Sequence, residues 1–107
     1  MSGVILVVDD EPGIRRSLRG ALEDEGYVVV LASGGQEALQ RVEKEAPDAI
    51  LLDIWMEGFD GIECLRRLKG MAPDIPVIMI SGHATIETAV QCTRLGAYDF
   101  LEKPLTV

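Results

Sequence analysis

Four continuous apolar runs divide the chain, at residues 4–8 (VILVV), 27–32 (YVVVLA), 49–52 (AILL) and 77–80 (VIMI). Runs of this length that do not alternate suit strands buried on both faces, as in a parallel sheet. A shorter segment, 97–101 (AYDFL), reads as a fifth strand. Between the runs, apolar residues recur at helical spacing. Ile14, Leu18, Ala21 and Leu22 share one face of a first helix, with Arg15, Arg16 and Arg19 mostly off it. Pro12 suits that helix's first turn, and Gly26 its C′ position. Ala38, Leu39 and Val42 mark a second helix, capped by Ser33 or a following glycine and stopped by Pro47. Ile62, Leu65 and Leu68 mark a third, from Gly61 to the Gly70 and Pro73 punctuation. Ile86, Ala89 and Val90 mark a fourth, running to about Leu95 with Gly96 as its stop.

Strands and helices therefore alternate with short connections, the pattern of a doubly wound parallel α/β sheet. Right-handed crossovers with helices on both faces leave few strand orders, and the flavodoxin-like order 2-1-3-4-5 is expected. A closing helix after the fifth strand is missing. Leu105, Thr106 and Val107 could begin it, so the chain reads as one domain, residues 1–107, cut before its last helix or covered there by something else. The apolar surface left bare would favour a dimer or exchanged elements.

Composition narrows the partners. The 107 residues are 48% apolar and carry 10 basic against 18 acidic side chains, a net charge of −8. That suits one packed domain. It makes nucleic acid an improbable direct partner, because phosphate binding needs a basic face. It also allows a concentrated acidic pocket that attracts a cation. Cys64 and Cys92 have no metal-ligand or redox spacing and read as reduced residues of a cytoplasmic protein. Met1, Ser2 and Gly3 lead straight into the first strand without a secretory signal. No apolar run approaches the ~20 residues that span a membrane.

The chemistry lies where the strands end. Asp9, Asp10 and Glu11 follow the first run, Asp53 the third, Ser81 the fourth and Lys103 the fifth. In a parallel sheet these ends share one edge, the one that binds ligands. Taken singly, each residue has a local reading: Asp53 or Ser81 as a helix cap, the acids as turn residues, Lys103 as part of a Lys-Pro turn. Taken together they make a hard oxygen site suited to Mg²⁺ with retained waters. Asp53, the central acid, can act as a nucleophile toward a phosphoryl group. Ser81 can hydrogen-bond a phosphate oxygen. Lys103 can pair with a carboxylate at rest and with phosphate oxygens afterwards.

With these residues in place, the sequence resembles the receiver domain of bacterial two-component response regulators over nearly its whole length. The resemblance runs through Leu6-Val7-Val8-Asp9-Asp10-Glu11, Leu51-Leu52-Asp53, Met56-Glu57-Gly58-Phe59-Asp60-Gly61, Ser81-Gly82-His83 and Lys103-Pro104. It implies that Asp53 accepts a phosphoryl group from a sensor histidine kinase. It implies Asp10 as direct Mg²⁺ ligand, Asp9 binding largely through water, and the Trp55 backbone carbonyl completing the set. Ser81 and Phe100 match the switch pair, Lys103 the pocket lysine, and Lys103-Pro104 the family's cis peptide bond. Trp55 and His83 match positions that tune hydrolysis of the acyl phosphate. A bulky Trp55 implies slow autodephosphorylation; rapid loss unaffected by Trp55→Asn would count against it. Alternatively, Trp55 only packs on the neighbouring loop. The stretch from Ser81 to Pro104 looks most like receivers of the nitrogen-regulatory type, which are usually fused to an AAA+ ATPase and a DNA-binding domain. The implied output is a change at the fourth helix and fifth strand that controls dimerisation or a transcriptional effector.

Two departures from the family pattern stand out. Phe100 replaces the more usual Tyr and has no hydroxyl. The turn after the acceptor reads Met56-Glu57-Gly58, without the usual central proline. Three other functions compete. A dehalogenase-type phosphatase would need an Asp two residues after its nucleophile, where Trp55 stands. A receiver-like module that is never phosphorylated usually lacks an acid or the lysine, and all are present here. A flavodoxin-like cofactor binder would need a Ser/Thr/Gly-rich loop where Asp9-Asp10-Glu11 stands.

Overall fold

The computed structural model describes residues 3–56, 59–83 and 85–103, with the Phe59 side chain excepted. In chain order the elements are β1 (Val4–Val8), α1 (Pro12–Asp24), β2 (Val28–Ala32), α2 (Gly35–Glu45), β3 (Ala49–Asp53), β4 (Trp55–Met56), β5 (Phe59–Asp60), α3 (Gly61–Met71), β6 (Val77–Ser81), α4 (Ile86–Arg94) and β7 (Asp99–Glu102). Five strands form a parallel sheet in the order β2-β1-β3-β6-β7. With the two-residue strands β4 and β5 set aside, this is the expected order 2-1-3-4-5.

The continuous apolar runs are explained by burial on both faces. Side chains alternate across a strand. Leu6, Val8, Ile50, Leu52, Val77 and Met79 point into one core, against Ala38 and Val42 of α2, Cys64, Leu65 and Leu68 of α3, and Cys92 of α4. Val7, Leu51 and Ile80 point into the other, against Leu18 of α1, with Ile14 and Leu22 beside it. Each such leucine or isoleucine contributes roughly 1.5–3 kcal/mol of transfer free energy.

The strand boundaries shift for one shared reason. Tyr27 and Ala97, read as strand residues, instead close the preceding helices. Gly26 has φ 94° and Gly96 φ 102°, the left-handed conformation that glycine adopts without a Cβ clash. The Gly26 N–H donates to the Glu23 carbonyl and the Tyr27 N–H to Leu22 (2.9 and 3.1 Å). The Gly96 N–H donates to Thr93 and the Ala97 N–H to Cys92 (3.1 and 2.9 Å). Both are Schellman caps that fill the last carbonyls of the helix. Strands β2 and β7 therefore start after Tyr27 and Ala97.

Of the two expected caps for α2, Gly34 is the N-cap, and Ser33 gives its N–H and hydroxyl to the Glu37 carboxylate (2.7 and 3.1 Å). After Asp53 the chain forms an antiparallel hairpin, β4–β5, pairing Trp55 with Asp60 and Met56 with Phe59. The sequence reading had only a turn there. Residues 104–107 lie outside the described residues. So do Pro104, expected to be cis, and the expected start of a closing helix at Leu105, Thr106 and Val107. No described helix is long and apolar enough to cross a membrane.

Candidate functional site

The sheet ladder delivers the polar residues to one edge. Asp9 follows β1, Asp53 closes β3, Ser81 closes β6 and Lys103 follows β7, and these strands are neighbours. Pairing continues into the site: the Asp9 N–H donates to the Ala32 carbonyl (3.1 Å), Ile54 to Ile80 (3.1 Å) and Lys103 to Ser81 (2.8 Å). Among the described residues the buried polar side chains are Asp9, Asp53 and Ser81, all at this edge. Burying a polar group without partners is costly, so this concentration needs a cause.

The helix-cap readings of Asp53 and Ser81 fail. The N-cap of α3 is Asp60, whose Oδ1 accepts the Ile62 N–H at 2.8 Å, so Asp53 caps nothing. The N-cap of α4 is Thr85, whose Oγ1 accepts the Thr88 N–H at 3.1 Å, so Ser81 is not the cap. Asp9 has a partial local role: its Oδ1 accepts the Glu11 N–H at 2.9 Å.

Lys103 joins the acids. Its Nζ lies 2.8 Å from Asp9 Oδ2, 3.5 Å from Asp53 Oδ2 and 3.8 Å from Glu11 Oε1. Asp9 Oδ2 is buried, and the Lys103 ammonium at 2.8 Å is its partner among the described residues. The other Asp53 oxygen, Oδ1, accepts a long bond from the Trp55 N–H at 3.4 Å. Burial, and then the charge of Asp9, push the Asp53 carboxyl up to about 6; Lys103 and the Trp55 N–H pull it back only in part. Burial alone would lower the Lys103 ammonium. The hydrogen bond and charge of Asp9, and the charges of Asp53 and Glu11, outweigh it and hold the group above its ordinary value. One ammonium among three carboxylates leaves the pocket short of positive charge.

A hard cation fits that deficit. Asp9, Asp10 and Asp53 each offer a carboxylate oxygen, and these atoms all lie within 4.8 Å of one another. An all-oxygen set without His or Cys suits Mg²⁺.

The remaining expected residues surround this centre. Ser81 Oγ accepts the His83 N–H at 3.0 Å, which leaves its own proton to donate. The side chains of His83 and Trp55 are exposed, Trp55 by 56%. Phe100 is half-buried and packs on the α2–α3–α4 core. With Thr85, Ile86, Ala89 and Glu102 it lines a groove of about 310 Å³ between α4 and β7. Pro104 lies outside the described residues.

The sequence reading missed two supporting residues. Gly61 reads in the sequence only as the start of the third helix, but a Cβ there would collide with the backbone carbonyls of Asp53 and Ile54. Arg15 looked like a solvated helix residue, yet its Nη1 donates to the Asp9 carbonyl at 2.7 Å.

Comparison with known proteins agrees with this geometry. Residues 5–107 match the family model of the response regulator receiver domain. The nitrogen assimilation regulatory protein NtrX of Azorhizobium caulinodans is 49% identical over 106 residues, covering 97% of this chain and 23% of that protein. The chain thus spans about a quarter of the length of that relative. The receiver domain of NtrX from Brucella abortus superposes with a TM-score of 0.90 at 48% identity, over 95% of this chain and 87% of that one. The beryllofluoride-activated NtrC4 receiver domain dimer superposes at 0.91 and 42% identity, over 97% and 86%. The chain belongs to the response regulator receiver domain family, as a signalling domain related to those of NtrX-type regulators.

Proposed function

We propose that Asp53 is the phosphoacceptor of this receiver and that Asp9, Asp10, Ser81 and Lys103 assist the transfer. The observation that carries this reading is the buried cluster in which Lys103 Nζ sits 2.8 Å from Asp9 and 3.5 Å from Asp53. Asp53, with its pKa near 6, is mostly ionised at neutral pH and more basic than a free aspartate. One of its oxygens attacks the phosphorus of a phosphohistidine on a sensor kinase. The phosphorus–nitrogen bond breaks as the new phosphorus–oxygen bond forms, and the electron pair leaves with the imidazole. Held by Asp9, Asp10, Asp53 and the Trp55 carbonyl, Mg²⁺ would offset the charge of the phosphoryl oxygens.

Lys103 then exchanges a carboxylate partner for a phosphoryl oxygen, which keeps its charge paired throughout. Ser81 turns its free hydroxyl proton toward the same group. Ser81 and Glu102 are register partners on β6 and β7, and Phe100 lies on β7 two residues before Glu102. A pull on Ser81 therefore reaches Phe100 and the groove beside α4. That surface would favour one of two states, controlling a dimer or a transcriptional effector. No nucleic-acid contact is assigned to this acidic domain.

Intact mass after incubation with acetyl phosphate tests the reading. The expected result is a gain of one phosphoryl group that needs Mg²⁺ and is lost in Asp53→Asn. A folded protein that gains nothing would instead be a receiver-like interaction module. A gain that survives in Asp53→Asn would move the acceptor elsewhere.

A further inference from the structure

The end of β1 leaves one backbone carbonyl without its strand partner. The Asp9 N–H donates to the Ala32 carbonyl, one residue past the last register pair of Val8 with Ala32. In a parallel ladder the Asp9 carbonyl would next accept from the Gly34 N–H. Here the neighbouring chain has already turned. Gly34 is the N-cap of α2, and Ser33 gives its N–H to Glu37. The Arg15 guanidinium, one turn into α1, takes the Asp9 carbonyl instead, at 2.7 Å and in a half-buried position. A buried carbonyl left without a donor would be costly, and a charged donor satisfies it strongly.

This carbonyl belongs to the peptide between Asp9 and Asp10, so fixing it sets how both carboxylates are presented. The same guanidinium contributes to the field on Glu37. That carboxylate is held below its usual range by the Ser33 N–H first, with Arg41 and Arg15 adding to it.

We propose that Arg15 is a positioning residue for the cation site: it pins the Asp9–Asp10 peptide so that the two carboxylates converge with Asp53. This rests on the Mg²⁺ reading of the pocket. The proposal has a sign that separates it from a plain charge effect. Removing a cation near an acidic pocket would tighten Mg²⁺ binding by electrostatics alone. Removing a positioning donor weakens it, by roughly tenfold for groups that orient metal ligands.

The test is the rise of the thermal unfolding midpoint with Mg²⁺ concentration, which yields a dissociation constant by mass action. The 107-residue chain, Arg15→Ala and Arg15→Lys are compared. Weakening of roughly tenfold is expected in Arg15→Ala, with most of the affinity restored in Arg15→Lys, whose ammonium can still donate. A lower midpoint without Mg²⁺, but an unchanged Mg²⁺-induced rise, would make Arg15 structural only and overturn the proposal. Tighter binding in Arg15→Ala would overturn it in favour of the charge effect. If Arg15→Ala does not fold, Arg15→Gln decides by the same comparison. If the unaltered chain shows no Mg²⁺-dependent rise, the Mg²⁺ reading itself fails, and this proposal with it.

Discussion

At the scale of single residues, the pocket trades stability for reactivity. Asp53 binds its proton more tightly in the folded chain, with a pKa near 6 against an ordinary 3.8. A raised carboxyl contributes stability fully only below its unfolded value, and loses it as pH rises through about 6. The folded chain therefore carries a strained carboxylate at pH 7. Asp53→Asn should be more stable than the native chain at pH 7 without Mg²⁺, by on the order of 1–2 kcal/mol once solvent at the pocket mouth is allowed for. The gap should close below pH 4 and narrow when Mg²⁺ is added. Urea unfolding at pH 7 and pH 4 measures it; a destabilised mutant at pH 7 would contradict the electrostatic picture. The acids and Ser81 were legible because each follows a buried apolar run, Lys103 because it follows the last strand the sequence predicts, and strand ends in a parallel sheet share an edge. Arg15 was not, because it contacts a backbone carbonyl, and no side-chain pattern records which carbonyl a ladder leaves over.

At the scale of elements, the strand that carries Asp53 is held by a close backbone crossing. The Gly61 N–H donates to the Ile54 carbonyl at 2.9 Å, and there is no room for a Cβ between them. Gly61→Ala should destabilise by on the order of 3 kcal/mol and slow phosphorylation, since relief requires moving Asp53 or Ile54. Gly20 in α1 is the control, because a Cβ there meets nothing within 4 Å. Gly20→Ala should be neutral or stabilising by up to about 1 kcal/mol. Denaturant midpoints of the two variants give the comparison, and equal midpoints would remove the crossing as a constraint. Helix and strand types were readable from periodicity. Their ends were less so, because a Schellman cap uses two residues past the helix, and Tyr27 and Ala97 adjoin the strand segments without a break in the sequence. The β4–β5 hairpin was hidden because two-residue strands carry no period.

At the scale of the whole molecule, the face of α4 and β7 is apolar and open. Ile86 is 85% exposed, Tyr98 76% and Val90 44%, beside the groove that Phe100 lines. The proposed switching at Ser81 and Phe100 would act on this face, so self-association should follow phosphorylation. Sedimentation should show a dimer fraction that grows with beryllofluoride and Mg²⁺ and is lost in Ile86→Arg. A monomer under both conditions at high concentration would contradict it. The sheet order was legible because alternating elements with right-handed crossovers allow few topologies. What covers a face is not legible in the same way, since an apolar helix position reads alike toward a core or a partner.

The central claim is that Asp53 takes the phosphoryl group. The measurement that tests it most directly is borohydride reduction after acetyl phosphate and Mg²⁺, followed by peptide mapping. Reduction of an aspartyl phosphate leaves homoserine in place of the acceptor. The expected result is homoserine at position 53 alone, and none when Mg²⁺ is withheld. Homoserine at position 9 or 10, or none anywhere in protein that has gained phosphoryl mass, would contradict the assignment of the pocket.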